Sequence, residues 1–448
     1  MDERTTTSER AGVPDRIRAD ARLVKDNDSA RLMCALESPA ENESAVAEPR
    51  VVELYQESAD VSKTLLFIPG PVTVAPAVLA ATGQQMIDHR GPRFRELLDG
   101  LALRLKPIFG TQTGEVLILG ASGTGGLEAA VGNMFGPGDT LLACPVGVFG
   151  QRLVGIAQGF GCAVEVLDTP WGRGVDPDAL RERLAADTGK RITGVLLTHN
   201  ETSTGVQCEM APLAEITRAH GAFVVVDSVS GLAASEFAMD AWGFDIVVSA
   251  SQKVLAAPPG LAMLAVAPRA WQQMERNPSS RYYFDLRKAR DFAALGQTPW
   301  TPPVSIVYAL DAALDLHAAE GPANVWARHT RYARAIRAAC EALGLEVFSQ
   351  AGAHSVTVVA VKLPAGVDGD AVRRVLREER GITLGGGQKE LKGKIIRIGT
   401  MGDLSQTDIL GMLGALELAL LGGGHAVGIG TGAKAALEIF LMESAVPA

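Results

Sequence analysis

The sequence predicts an α/β protein with a mostly parallel central sheet in a large domain and a smaller C-terminal α/β domain. Between residues 115 and 267, short runs of Val, Ile, Leu and Ala alternate with segments of helical character. The runs are apolar along their whole length, which is typical of parallel strands that helices cover on both faces. After a long helical stretch over 304–343 the alternation resumes, and this predicts the second unit.

Each apolar run of the large domain predicts a strand, and each connection between runs predicts a helix. The predicted strands are Glu115–Leu119, Thr140–Cys144, Ala163–Leu167, Ile192–Thr198, Phe223–Asp227, Ile246–Ala250 and Met263–Ala267. The predicted helices are Pro76–Gln85, Phe94–Phe109, Gly126–Met134, Phe149–Gly159, Asp178–Ala186 and Met210–His220. The Pro- and Gly-rich segment before them, residues 65–76, is expected to be an extended, turning entry to the domain.

The chain is expected to divide at about residues 60 and 310. Residues 1–60 are polar and charged and predict a disordered extension, with a short helix near Ser29–Glu37. The large domain is expected to cover residues 61–310 and the small domain 311–448. The predicted elements of the small domain are the strands Ser355–Lys362 and Lys394–Gly399 and the helices Gly369–Glu379 and Ser405–Leu421.

Composition excludes several classes of partner. A net charge of −9 argues against a nucleic acid or an anionic membrane surface. The five cysteines have no metal-ligand spacing, and their odd number suits reduced thiols in the cytoplasm better than a disulfide framework. Because of this cysteine spacing we expect no metal site. We also expect no signal peptide and no transmembrane span, because no window of the sequence is long and apolar enough for a signal peptide or a membrane-spanning helix.

An acid and a lysine follow two neighbouring predicted strands. Asp227 ends the strand Phe223–Asp227, and Lys253 stands just past the strand Ile246–Ala250, in Ser-Gln-Lys. Such strand ends are where α/β enzymes bind their ligands. A lysine there is partly desolvated, which favours the neutral, nucleophilic amine. Alone, Lys253 is better explained by a solvated surface lysine, but the acid gives it a partner.

A glycine-rich turn supplies a third part of the same site. Residues 120–126 read Gly-Ala-Ser-Gly-Thr-Gly-Gly, after a predicted strand and at the start of a predicted helix. Small residues there let backbone N–H groups meet a phosphate at the helix N-terminus. A lysine for the aldehyde, an acid for the pyridine nitrogen and a turn for the phosphate are what pyridoxal phosphate needs. The three features in this order predict a site for that cofactor.

Further candidates have two interpretations each. The hydroxyl-rich segment 198–205, which contains Thr202, suits either a cofactor contact or a helix N-cap. Arg397 lies inside an apolar strand and needs either a substrate carboxylate or a structural salt bridge. Phe149 suits either stacking on a pyridine ring or the core. His89 and Arg90 suit either an anionic site or a surface turn.

The chain resembles the class V aminotransferases, which are pyridoxal phosphate enzymes of fold type I, and within them the alanine–glyoxylate and serine–glyoxylate aminotransferases. The resemblance covers roughly residues 65–420. The motifs that carry it are Pro69–Pro71, Ser122–Gly125, His199–Gly205, Asp227–Ser230, Ser251–Lys253, Ala256–Gly260 and Arg397–Gly399.

The resemblance implies a role for each matching residue. Lys253 would hold the cofactor's aldehyde and move a proton, and Asp227 would bond the pyridine nitrogen. Val229 would lie beneath the ring and Phe149, where many relatives have tryptophan, above it. Arg397 would bind the substrate carboxylate. The remaining implied contacts are those of Thr124, Gly125, Gly126 and Gln252 with phosphate, Thr202 with the phenolic oxygen, Gly70 with substrate, and Thr301 with the phosphate of the other subunit of a homodimer.

The resemblance implies a transaminase that moves the amino group of alanine or serine to a 2-oxo acid such as glyoxylate or pyruvate. Three alternatives stay open. The donor could instead be an aminophosphonate, taurine or a pathway-specific amine. A lyase of the cysteine desulfurase type would need a cysteine on the loop 381–393, which has none; the last cysteine is Cys340. A cofactor-binding regulator without turnover would not need Lys253, Asp227 and Arg397 together.

Overall fold

The computed structural model describes residues 64–277 and 281–444. The predicted extension over residues 1–60 and its helix near Ser29–Glu37 lie outside the described residues. Both remain predictions of the sequence.

The described strands form a seven-stranded sheet, a five-stranded sheet and a two-stranded sheet. They are β1 Leu65–Phe67, β2 Glu115–Gly120, β3 Thr140–Cys144, β4 Ala163–Val166, β5 Ile192–Thr198, β6 Asn200–Glu201, β7 Val206–Gln207, β8 Phe223–Asp227, β9 Ile246–Ala250, β10 Leu261–Val266, β11 Glu346–Val347, β12 Val358–Lys362, β13 Ile382–Gly386 and β14 Ile395–Gly399.

The described α-helices connect and cover these strands. They are α1 Pro76–Ala81, α2 Pro92–Phe109, α3 Gly123–Met134, α4 Val148–Gly159, α5 Pro177–Ala185, α6 Met210–His220, α7 Met239–Trp242, α8 Pro268–Arg276, α9 Leu286–Ala293, α10 Val304–Glu320, α11 Pro322–Ala342, α12 Gly369–Arg380, α13 Gln406–Gly422 and α14 Thr431–Ser444. None of them is long and apolar enough to cross a lipid bilayer.

The larger sheet has the order β2-β10-β9-β8-β5-β3-β4, and most of its neighbouring strands are parallel. Only β10 runs against its neighbours, β2 and β9. Alternate side chains of the central strands enter different hydrophobic clusters: Val226 and Val247 belong to one, and Val225 and Val248 to another. Because successive side chains of a strand point to opposite faces, helices cover both faces of the sheet, as predicted.

The parallel register aligns the carboxyl ends of three strands. Thr198, at the end of β5, pairs with Asp227, at the end of β8. Asp227 in turn pairs with Val248 of β9, and Lys253 follows β9 in the next turn. The sheet therefore brings the residues that follow β5, β8 and β9 to one edge, which is where ligands bind in such sheets.

The smaller sheet combines C-terminal strands with a strand from the N-terminal side. Its order is β1-β13-β14-β12-β11. β1 is parallel to β13, with Leu65 opposite Ile382. The long predicted helical stretch over 304–343 is two helices, α10 and α11, because the chain takes a positive φ of 84° at Gly321. α10 packs with the core of the large sheet and α11 with that of the small sheet. The predicted boundary near residue 310 stays a prediction.

Candidate active site

A cavity of about 120 Å³ lies at the carboxyl edge of the large sheet. It brings together seven of the residues that the sequence singles out: Thr124, Phe149, Thr202, Asp227, Val229, Gln252 and Lys253. Ser122, Gly123, Leu127, Arg152, Asn200 and Ser230 complete its wall. The strand ends and the glycine-rich turn therefore meet at one place.

Lys253 extends into this cavity from the turn after β9. Its backbone carbonyl accepts a hydrogen bond from Ala256 N at 2.9 Å, which closes the turn. Its Nζ atom donates to the carbonyl of Pro69, in the entry segment before α1. Burial lowers the pKa of Lys253 to about 8, although the nearby charge of Asp227 acts in the opposite direction. The neutral fraction of the amine near physiological pH is therefore much larger than that of an ordinary lysine.

Gly70 is the neighbour that leaves room for Lys253. Its φ of 99° lies in the region that favours glycine. A Cβ atom at this position would lie 2.8 Å from both Cδ and Nζ of Lys253. Residue 70 must therefore be small for the lysine to reach its observed position.

Asp227 is buried beneath the cavity. Its Oδ1 atom accepts a hydrogen bond from Val229 N at 2.9 Å. Burial raises the pKa of Asp227 to about 6, partly offset by the Val229 hydrogen bond. No described residue forms a salt bridge with it, so the carboxyl group is available to a ligand in the cavity.

The glycine-rich turn forms the N-terminus of α3. Ser122 caps the helix by accepting a hydrogen bond from Gly125 N at 3.2 Å. Gly126 is buried against the sheet, where a Cβ atom would lie 2.8 Å from Val248 Cγ1. Its N–H already donates to the Ser122 carbonyl. Packing of α3 on the sheet therefore explains this glycine.

Arg152 is a cavity residue that the sequence reasoning missed. Its Nη1 atom donates to the Thr124 hydroxyl at 2.8 Å. Its guanidinium carbon lies 4.7 Å from the centroid of the Phe149 ring, in cation–π geometry. The spacing of Phe149 and Arg152 within one helical turn is the sequence signal that could have identified it.

The segment after β5 places Thr202 in the cavity wall. Thr202 is buried, and no described residue makes a hydrogen bond with its hydroxyl group. Asn200, just before it, donates to the hydroxyls of Ser230 and Thr357 at 2.8 and 2.9 Å. Because Thr357 lies just before β12, this asparagine connects the cavity to the small sheet.

Arg397 approaches the same segment from β14. Its Nε atom donates to the Gly386 carbonyl at 2.7 Å, and its Nη1 atom donates to the Thr202 carbonyl at 2.9 Å. Only 7% of its surface is exposed, and burial lowers its pKa to about 10. No carboxylate of a described residue forms a salt bridge with it. The structural salt bridge is therefore not found among the described residues. Arg397 does not itself line the cavity and is connected to its wall through the Thr202 carbonyl.

Other predicted candidates lie outside this cavity. Thr301 is exposed and lines a separate small depression with Thr298, whose hydroxyl donates to the Trp300 carbonyl at 2.7 Å. Arg90 donates to the Gln297 side chain at 2.7 Å, which fits the surface-turn interpretation. Cys340 is buried in α11, where desolvation raises the pKa of its thiol to about 12.

Comparisons with known proteins identify one family. The model of the family "Aminotransferase class-V" matches residues 77–401. The soluble hydrogenase 42 kDa subunit of Anabaena cylindrica is 39% identical over 84% of this chain and 99% of its own. The L-aspartate–glyoxylate aminotransferase of Paracoccus denitrificans is 36% identical over 86% of this chain and 98% of its own.

A solved structure agrees with the family in fold. The crystal structure of an alanine–glyoxylate aminotransferase from Nostoc is similar, with a TM-score of 0.77 and 32% sequence identity. The similarity covers 84% of this chain and all of the Nostoc chain. The family match, the identities and the shared fold agree with the geometry of the cavity, and the chain belongs to the class-V aminotransferase family.

Proposed function

We propose that the enzyme moves the amino group of a small amino acid, alanine or serine, to a 2-oxo acid such as glyoxylate or pyruvate. One arrangement carries this proposal. A partly neutral lysine and a buried acid share a cavity, while a buried arginine without a carboxylate partner donates to the Thr202 carbonyl at the cavity wall. An amine, a proton acceptor and a carboxylate receptor are the groups that an α-amino acid needs.

The residues of the cavity fit pyridoxal phosphate, the cofactor of this family. The N-terminus of α3 with Thr124, Gly125 and Gly126 suits a phosphate. Gln252 lines the cavity, and its buried Oε1 atom has no hydrogen-bond partner among the described residues. Phe149 and Val229 provide apolar surfaces for a flat ring. The bound cofactor supplies the amino-group carrier and the electron sink of the reaction.

Lys253 and Asp227 would perform the proton chemistry. The neutral Nζ atom of Lys253 would bind the cofactor's aldehyde and then remove the proton from the substrate Cα atom. Asp227, ionised above a pKa of about 6, would hold a proton on the ring nitrogen. The hydroxyl of Thr202 would bond the phenolic oxygen. The positions of the three side chains in one cavity wall support these roles.

Arg397 and Gly70 would select the substrate. The guanidinium of Arg397 would bind the α-carboxylate, because buried arginine recognises carboxylates with two parallel hydrogen bonds. Gly70 lies against the reactive amine, where the absence of a side chain would leave room for the substrate beside Lys253. The two aminotransferases compared above share glyoxylate as acceptor but are named for different donors, aspartate and alanine. The acceptor is therefore better supported than the donor.

We also propose a cytoplasmic homodimer. Tyr282 and Tyr283 are 72% and 51% exposed beside Trp300, and aromatic residues of this kind are enriched at interfaces. Thr301, in the same region, would then reach the phosphate in the partner subunit. The four described cysteines are unpaired, which suits a reducing compartment. Sedimentation of the purified protein would test the dimer.

The experiment for the proposed function is a half-reaction screen. Holoenzyme is mixed with alanine, serine, aspartate, cysteine, taurine and aminoethylphosphonate in turn, and the visible absorbance of the lysine-bound cofactor is followed. Loss of that band with alanine or serine, and its return with glyoxylate, is the expected result. Loss only with aspartate, taurine or the phosphonate would replace the proposed donor. Formation of alanine from cysteine, with sulfide released on addition of a thiol reductant, would indicate the desulfurase alternative.

A further inference from the structure

Glu201 is a fully buried carboxylate that no catalytic role uses. Its Oε2 atom accepts hydrogen bonds from Phe149 N and Gly150 N, both at 2.9 Å. Its Oε1 atom accepts from the N and Oγ atoms of Ser203 at 3.0 and 2.7 Å. No basic side chain of the described residues forms a salt bridge with it. Four donors thus hold the carboxylate in one orientation.

These bonds cap a helix that lacks a side-chain cap of its own. The N-cap residue of α4 is Gly147, which has no side chain to accept a hydrogen bond. Ser203 accepts from Val148 N at 2.9 Å, and Glu201 accepts from the next two amides. Three N–H groups of the first turn are therefore satisfied from the segment after β5.

The fit at this helix end is tight. A Cβ atom on residue 147 would lie 2.4 Å from Ser203 Oγ and 2.6 Å from Glu201 Cγ. Burial raises the pKa of Glu201, and its four hydrogen bonds act against that shift. In its ionised form the carboxylate also interacts favourably with the positive end of the helix dipole. The first turn of α4 is consequently fixed to the segment that carries Thr202.

That first turn carries the aromatic ring of the cavity. Phe149, whose own amide is bound by Glu201, lines the cavity wall, and Arg152 lies over its ring one turn later. Burial raises the pKa of Asp227, and the charge of Glu201 raises it further. Movement of the Glu201 carboxylate would therefore move the ring that faces the cofactor site.

We propose that Glu201 is a positioning residue that, together with Ser203, fixes the first turn of α4 and so sets the orientation of the Phe149 ring against the bound cofactor. The inference rests on the proposed function, because the ring has this role only if the cavity holds pyridoxal phosphate. Glu201 itself does not touch the cofactor or the substrate in this account.

The test compares holoenzymes of wild type and Glu201→Gln. Two readouts are measured: the dissociation constant of pyridoxal phosphate and the visible circular dichroism of the bound cofactor, which depends on the orientation of neighbouring rings. A glutamine side chain keeps one acceptor oxygen, so it cannot accept from the Phe149 and Gly150 amides and from the Ser203 amide together, and the link between the first turn of α4 and the segment after β5 is weakened. We expect about tenfold weaker cofactor binding, the loss of roughly one charge-assisted hydrogen bond, and an altered dichroic band.

The chain offers a matched control. Glu417 is also buried and accepts hydrogen bonds from Gly430 N and Gly432 N at 2.7 Å, before and within the first turn of α14. It does not line the cavity. Glu417→Gln should therefore lower the free energy of unfolding to a similar degree and leave both cofactor readouts unchanged.

A double-mutant cycle separates positioning from general damage. In a Phe149→Leu background the ring is absent, so Glu201→Gln should change the cofactor dissociation constant and the dichroic band much less than in wild type. Ser203→Ala provides the same comparison if Glu201→Gln does not fold. The inference about Glu201 would be overturned if Glu201→Gln changed the cofactor readouts equally in the wild-type and Phe149→Leu backgrounds. It would also be overturned if Glu201→Gln, like Glu417→Gln, left both readouts unchanged. Neither result would affect the proposed function. Wild type that retains no cofactor would overturn the proposed function as well.

Discussion

The Nη1 atom of Arg397 donates a hydrogen bond of 2.9 Å to the backbone carbonyl of Thr202. This bond joins β14 of the small sheet to the segment after β5 of the large sheet, next to the cavity. Burial lowers the pKa of the Arg397 guanidinium and the charge of Glu201 raises it, but no described carboxylate pairs with it directly. A buried charge without an adjacent anion is costly. The arrangement is explained if the substrate supplies that anion.

Replacement of Arg397 should weaken substrate binding selectively. Arg397→Ala is expected to raise KM for alanine about 100-fold, because truncation of one partner of a buried charge pair costs several kcal/mol. Steady-state kinetics measure this change. Ethylamine, which lacks a carboxylate, is the control substrate and should react equally slowly with both proteins. An unchanged KM for alanine would remove Arg397 from the site.

Replacement of Asp227 should slow the half-reaction with the amino acid and leave binding of the cofactor largely unchanged. Asp227→Asn cannot hold a proton on the ring nitrogen by charge, so the half-reaction with alanine should slow by about 10²- to 10³-fold. Stopped-flow absorbance gives this rate. The cofactor should still attach to Lys253. A half-reaction as fast as that of wild type would show that the buried acid has no part in the reaction.

Attachment of the cofactor to the apoenzyme should depend on pH. Burial lowers the pKa of Lys253 to about 8, and the neutral amine is the nucleophile. The attachment rate should therefore rise about tenfold per pH unit below this value and level off above it. Asp227→Asn should lower the midpoint, because the carboxylate raises the pKa of Lys253.

The control for this pH profile is the reaction of Nα-acetyl-lysine with pyridoxal phosphate under the same conditions, which gives the contribution of the reagent alone. A midpoint for the apoenzyme at the ordinary lysine value would contradict the effect of burial on the Lys253 amine.

Gly70→Ala should have two effects: a cost in backbone conformation and a steric contact with the Lys253 side chain. The new Cβ atom would lie 2.8 Å from Nζ of the lysine, whereas a Cβ atom at Gly138 would have nothing within 4 Å. The φ angles of the two glycines are 99° and 96°. Both substitutions should therefore lower the free energy of unfolding by about 1–2 kcal/mol.

Only Gly70→Ala should reduce the amount of cofactor bound. Thermal unfolding and the visible absorbance of the purified proteins give the two quantities. Equal cofactor content in the Gly70→Ala and Gly138→Ala proteins would mean that Gly70 does not control access to the lysine.

Much of the large sheet could be predicted because each strand is a separate apolar run. β5, β8 and β9 begin and end where the sequence places them. β1 and β13 were missed, since the first has three residues and the second contains two glycines. α9 was missed because its polar sequence forms a helix with a single buried face against the large sheet.

Part of the site could be predicted from the order of the strands. Asp227, Lys253 and the turn before α3 stand at strand ends, so their meeting follows from the parallel topology. Glu201 acts through backbone amides of a distant segment, and such contacts leave no pattern in the sequence. Arg152 had one signal, its position one helical turn after Phe149. Whether Arg397 has a direct carboxylate partner likewise depends on the positions of the surrounding carboxylates, which only the structure gives.

The central claim is that Lys253 holds the cofactor in this cavity. The most direct measurement is peptide mapping by mass spectrometry after borohydride reduction of the holoenzyme, which fixes the cofactor to its lysine. The account predicts one modified peptide, the one that contains Lys253, and no modified peptide in Lys253→Ala. Modification at another lysine, or a cofactor-bound Lys253→Ala protein with the same visible band, would contradict it.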